Sequence, residues 1–447
     1  MRVLLRASWR LATLILLPLS SQAAVHQVGP GREFTHLQAL LDVTDFAPGD
    51  VVEVDGGVEY PGNVILRPQH GGAAGSPVVL RGLRVNGARP ILRGGTSTIE
   101  FRLANHVVFE SFEVVGSVDD GTTRCVFHHS NDLLIRDVLV RDCPMHGILG
   151  ADNDSGSLTI EYSEIRNAGS DTYHHAIYMA TDQRAFPGSV FRLRHSVVRD
   201  SRYGDSGEGG NLIKSRAERN EIHYNWLQGA YYHSLELIGP DPSGGATQSG
   251  AREDSDVVGN VIVHDGEFGS VFRLGGDGTG QSQGRYRFVN NTVVRPGQGG
   301  VSTVFRLFDG IEALEAHNNV LVNTDGVFRV YSDGDAQWVG GAPRLHGSHN
   351  WISEGAGYIP DGWTDTTEGD EPGFVNVAAS DFRPGADSEL RDAGGDAVSA
   401  PGFEISATLF PPTRQPPRGV VEAAGSASVR AVDARIDIGA FESTGSE

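Results

Sequence analysis

The chain has 447 residues and a net charge of −21, with 59 glycines, two cysteines and three methionines. So acidic a chain argues against nucleic acid as a partner and gives anionic polymers no general attraction, so any anion site must be a local basic patch. Two cysteines supply neither a metal site nor a redox motif, and whether Cys125 pairs with Cys143 is left open by their spacing alone.

The first 23 residues read as an export signal: Arg2, Arg6 and Arg10 precede the apolar run Leu11 to Leu19, and Ser21-Gln22-Ala23 offers a cleavage site near Ala23. That run is too short to span a bilayer and no second one follows. The expectation is a mature chain of charge −24 without a membrane span, exported to the periplasm or beyond. Gly29 to Asp55 forms an opening module. Phe34, Leu37, Leu40 and Leu41 share one face of a predicted helix, which would cover the open end of the structure that follows.

A repeat then dominates. Ser111, Asp137, Ser163, Ser196, Asn225, Asn260, Asn291, Asn319 and Asn350 each precede a short apolar strand, at intervals of roughly 26 to 35 residues. Strands and Gly-rich turns without an amphipathic helical period predict a parallel β-helix, all-β in class, over residues 24–352. Residues 353–447, Pro/Gly-rich and ending DIGAFE (437–442), read as a C-terminal cap, because they hold too little apolar sequence for a core of their own. The asparagines read as a structural ladder satisfying backbone at a turn.

Each coil carries a second strand. Alternation turns Ile148, Ile177, Ile213, Leu235, Phe272, Phe305 and Phe328 inward. It turns Leu149, Tyr178, Lys214, Glu236, Arg273, Arg306 and Arg329 outward as one column, with coils about 4.8 Å apart. Lys214 is the only lysine in the chain. Its coil has almost no loop, between coils with long loops near 180–190 and 239–255, which predicts a groove with Lys214 at its floor.

Around Lys214 the alignment gathers His174, His175, Tyr178, Arg216, His233 and Glu236. Such a set suits β-elimination from a uronic acid, which needs a cation on the carboxylate, a base for the C5 proton and an acid for the departing O4. The candidate catalytic residues are Lys214 as base, Tyr178 or His175 as acid, and Arg216; Arg216 and Arg273 would hold the uronate. Glu236, Arg273, His233 and Arg306 are the candidate substrate-binding residues. A surface ion pair between Lys214 and Glu236, and histidines satisfied structurally, are the plain alternatives. Stacked Arg273, Arg306 and Arg329 would repel by about 1 kcal/mol per pair at 4 Å in water, relieved by an anionic ligand or by Asp277, Asp309 or Asp333. No motif specifies a cofactor; calcium and the metal requirement stay open, as does the oligomeric state.

The repeat, the signal and the DIGAFE ending resemble bacterial right-handed parallel β-helix proteins of the pectate-lyase-like superfamily. HHAIYM (174–179), NLIKSRA (211–217) and SLELIGPDPSGG (234–245) resemble an exported β-helix group within it. IKSRAERNEIHYN (213–225) resembles the lysine coil of polysaccharide lyase family six, the alginate lyases and chondroitinase B. That resemblance implies a right-handed helix, an anionic polysaccharide as partner, and Lys214 as base. The family's acid, an arginine one coil on, falls at or beside Glu236, so Arg216 or Arg273 would have to substitute. A polygalacturonase-like hydrolase is the rival enzyme, although CPMHGILG (143–150) lacks its paired aspartates. A carbohydrate-binding or cell-envelope protein without catalysis is the third reading.

Overall fold

The computed structural model describes residues 23–239, 253–266, 268, 270–276, 282–297, 301–334, 338–395 and 410–443. Among them the strands form three parallel sheets of 13, ten and 12 strands, plus one antiparallel pair. Each coil passes through the 12-stranded, the ten-stranded and the 13-stranded sheet in turn, so the architecture is a parallel β-solenoid of about ten turns. Of the expected export signal, residues 1–23, all but Ala23 lie outside the described residues.

Strands of two to seven residues suffice because each stacks on its counterpart in the next coil. In the ten-stranded sheet Ile148, Ile177, Ile213, Leu235, Phe272 and Phe305 pair in register and are buried, as alternation requires. Each contributes about 1.5–3 kcal/mol by leaving water. The only α-helix among the described residues, Leu37–Leu41, buries three leucines in the core, whereas Phe34 precedes the helix, in a bridge with Val28, and packs against the core half-buried.

The polar repeat forms the expected ladder between the 13- and 12-stranded sheets. The Asn225 N–H donates to Asn260 Oδ1, Asn260 to Asn291, Asn291 to Asn319 and Asn319 to Asn350, all at 2.9–3.0 Å. Its first two members are one residue out of place. Strand pairing makes Phe112 and Val138 the counterparts of Ser163 and Ser196. Ser111 and Asp137 instead hold the left-handed bend, with φ of 64° and 55°, that Tyr162, His195 and Tyr224 hold in later coils. A short polar side chain tolerates that conformation, so its presence at the bend imitated the ladder.

The C-terminal segment packs on the outside of the 12-stranded sheet. Ile438, Ala440 and Phe441 join Trp226, Val261 and Trp351 in a second apolar cluster. Asn290 Nδ2 donates to the carbonyls of Asp437 and Gly439, so the bend residues of the solenoid hold the DIGAFE segment. Cys125, in the ten-stranded sheet, and Cys143, in the 12-stranded sheet, form a disulfide.

Candidate functional site

The outward column of the ten-stranded sheet is continuous from Leu149 to Arg306: Leu149 pairs with Tyr178, Tyr178 with Lys214, Lys214 with Glu236, Glu236 with Arg273 and Arg273 with Arg306. It also extends the other way, through Phe127 to Glu100. Arg329 does not belong to it. Arg306 faces Ser332, and Arg329 faces Thr303. The triplets Val304-Phe305-Arg306 and Val327-Phe328-Arg329 are identical, but the last strand is offset by three residues from the register that they suggest, so that Val301 faces Val327 and Phe305 faces Tyr331. Arg329 then stacks over Tyr358.

Glu236 is the hub. Its Oε1 accepts from Arg273 at 2.7 Å, and its Oε2 accepts from Asn211 Nδ2 and lies 3.5 Å from Lys214 Nζ. Burial works to raise this carboxyl, but Lys214, Arg273, His233 and Arg216 together hold it below the ordinary carboxylate value. Lys214 Nζ sits 5.4 Å from the centre of the Tyr178 ring. Arg216 is buried and turned inward to this group: its Nε donates to Tyr178 Oη at 3.1 Å and its Nη1 to the Gly239 carbonyl at 2.7 Å. Because a cation already donates to that oxygen, the Tyr178 proton points away from Arg216, and a phenolate there would be stabilised. Arg273 and Arg306 share the ring of Phe308, at 4.2 and 4.7 Å, so an aromatic face as well as Glu236 offsets the charge crowding. Asp277 lies outside the described residues, and so does most of the long loop expected at 239–255.

His175 and His233 occupy a second column, three residues before the first. The His175 N–H donates to His146 Nδ1, the Asn211 N–H to His175 Nδ1 and the His233 N–H to Asn211 Oδ1, at 2.9–3.2 Å. Both His175 and His233 are fully buried, with Nε2 unpartnered. Burial pushes His233 down to about 4 and His146 to about 3; it also takes His175 well below its ordinary value, with Lys214 adding to the effect. All three are neutral at pH 7. His174 is held by Asp171 at 2.9 Å.

Sequence reasoning passed over His146, Asn211 and Arg124. The signal was present: each stands three residues before its column member (Leu149, Lys214 and Phe127), just as His175 precedes Tyr178 and His233 precedes Glu236. Among the described residues no three or more His, Cys, Asp or Glu side chains are grouped so as to hold a metal ion.

No protein-family profile and no curated protein matches the sequence. Solved structures do match. Pectate lyase Pel9A aligns over 95% of this chain and 97% of its own, with a TM-score of 0.52 and 14% identity. XylC, solved in complex with xylose, aligns over 78% of this chain and 87% of its own, with a TM-score of 0.51 and 9% identity. An alginate lyase from Paenibacillus sp. str. FPU-7 covers 73% of this chain and 98% of its own, at a TM-score of 0.41 and 14% identity. At such identities the likeness, with its weight on the first two, is one of fold: this chain is built as the right-handed parallel β-helix proteins are.

Proposed function

We propose that the protein processes uronic-acid polysaccharides as a lyase, by β-elimination. The observation that carries this reading is the grouping of Lys214, Tyr178 and Arg273 on the outward face of the ten-stranded sheet, with Arg216 donating to the Tyr178 hydroxyl. In this mechanism Arg273 binds the uronate carboxylate and withdraws charge from C5. Lys214, as the neutral amine, takes the C5 proton; the C–H electron pair forms the C4=C5 double bond while the C4–O4 bond breaks. Tyr178 gives its proton to O4, and Arg216 stabilises the phenolate left behind. Of the two acids considered, Tyr178 suits the role better than the buried His175. Since Glu236 lies against both Lys214 and Arg273, the incoming carboxylate must displace it before the amine reaches C5.

The Glu236 pairing equally favours a second reading, a saccharide-binding protein without turnover, because it occupies the lysine that a lyase would need. Incubation with alginate, pectate, chondroitin, heparin and hyaluronan, with and without calcium, separates the two. A lyase generates an unsaturated uronide that absorbs in the ultraviolet; binding without that absorbance would overturn the enzymatic reading. Lys214→Ala should abolish the absorbance and leave binding in place. We also read residues 1–23 as an export signal, helix Leu37–Leu41 as closing the N-terminal end, and 353–447 as the C-terminal cap. Mass spectrometry of the secreted chain, expected to begin near Ala24, checks the first.

A further inference from the structure

On the N-terminal side of Lys214 the same sheet face carries a guanidinium without a carboxylate. Arg124 opens the strand Arg124–His129. Its Nε donates to Ser97 Oγ at 2.9 Å and its guanidinium lies 3.9 Å from the centre of the Phe127 ring. The nearest acid in the column, Glu100, is engaged by Arg102 through both oxygens, at 2.7 and 3.0 Å. Arg124 is only half-buried, yet burial lowers its pKa, as it must for a cation lacking a close counter-charge. The neighbouring Cys125 is fixed by its disulfide, and Phe127 holds the guanidinium plane, so the fork is preorganised.

Its position matters. Arg124 pairs in register with His146, whose ring lies 6.0 Å from that of Tyr178. Arg124 and Tyr178 stand two strands apart, about 10 Å along the solenoid axis, a distance that a short run of sugar rings spans. A preorganised fork without a carboxylate, beside a half-exposed aromatic ring, suits a planar carboxylate carried on a sugar.

We propose that Arg124, backed by Ser97 and Phe127, binds the carboxylate of a second uronate unit, on the same sheet face and N-terminal to the unit held at Arg273. This rests on the uronan reading above and narrows it. The substrate would be a polymer whose carboxylates recur along the chain, rather than a neutral glycan with one terminal uronate.

The test uses the intact protein, the uronate polymer that it binds, and a length series of oligomers of that polymer. For Arg124→Gln, KM or Kd for long oligomers should rise roughly tenfold or more, the worth of a lost charge-assisted pair. The increase should shrink as the oligomer becomes too short to reach from Arg273. Arg124→Lys should recover part of the affinity, as charge without the fork, and matching thermal unfolding of both variants excludes misfolding. A loss equal at every length, or no loss at any, would overturn the subsite. Binding without cleavage that still depends on Arg124 would overturn the lyase reading and keep the subsite. A wild-type protein that binds none of the polymers would overturn both.

Discussion

Two ladders run along this solenoid, built by one device to opposite ends. In both, a side chain of one coil accepts the backbone N–H of a neighbouring coil. The asparagine ladder is closed. Asn260 Oδ1 accepts from Asn225 N–H and Nδ2, while its own Nδ2 donates to the Ile222 carbonyl and to Asn291 Oδ1, so no polar atom is left over. The ladder His146–His175–Asn211–His233 runs in the reverse sense and is open. His175 and His233 keep Nε2 unpartnered, and Asn211 Nδ2 leaves the ladder to hold Glu236. A repeat that satisfies itself carries structure only. One with atoms to spare connects the backbone to the groups beside it.

The comparison predicts that chemistry and stability separate. The largest effect is on turnover: Tyr178→Phe should lower kcat by roughly 100- to 10,000-fold, as loss of a general acid does, with little change in unfolding temperature. Single-turnover assays alongside thermal melts would check it; an unchanged kcat would remove Tyr178 from the mechanism. Next comes Asn260→Leu, which leaves the buried Asn225 N–H and Ile222 carbonyl without partners. It should destabilise the fold by about 3 kcal/mol or more, while the molecules that remain folded keep full activity. A fall in activity per folded molecule would contradict the division between the ladders.

The first column was legible as far as Arg306 because strand alternation and in-register stacking are strict within a parallel sheet. Legibility failed where the local signal was degenerate. Two identical triplets suggested a register for Arg329 that the last strand does not adopt, and polar residues at a left-handed bend passed for ladder members at Ser111 and Asp137. The second ladder was hidden for another reason. Its members share an offset of three residues from the column, but Asn211 interrupts the run of histidines, and a histidine or asparagine alone at a strand edge carries no message. What Arg216 and Asn211 hold was equally out of reach, since a donor's direction depends on packing that no periodicity encodes.

The open ladder should also register in the acid limb of stability. His233 titrates near 6.5 when unfolded and at about 4 in the fold. The unfolded chain therefore takes up its proton first, and the contribution is complete above about pH 6.5. It is lost as pH falls toward about 4, below which both states are protonated and the loss levels off. The gap corresponds to about 3 kcal/mol at most. His233→Asn, which can still donate to the Ser270 carbonyl, should reduce the difference in denaturant stability between pH 7 and pH 4.5 by about 1–3 kcal/mol. An unchanged difference would mean that His233 titrates in the native protein as it does in the unfolded chain.

The smallest and most discriminating effect belongs to Asn211, where the open ladder meets the site. Asn211→Ala removes the acceptor for the His233 N–H and one donor to Glu236, while Arg273 and Lys214 remain on that carboxylate. The stability loss should be about 1–3 kcal/mol, that of an unsatisfied buried group, and no larger than for Asn260→Leu. Freed from Asn211, the Glu236 carboxylate can follow Lys214 or Arg273 and compete longer with the substrate carboxylate for them. KM should therefore rise severalfold with kcat less affected, a change that loss of stability alone would not produce. If KM and kcat per folded molecule both match the wild type, Asn211 is a rung like Asn260, and the two ladders differ only in composition.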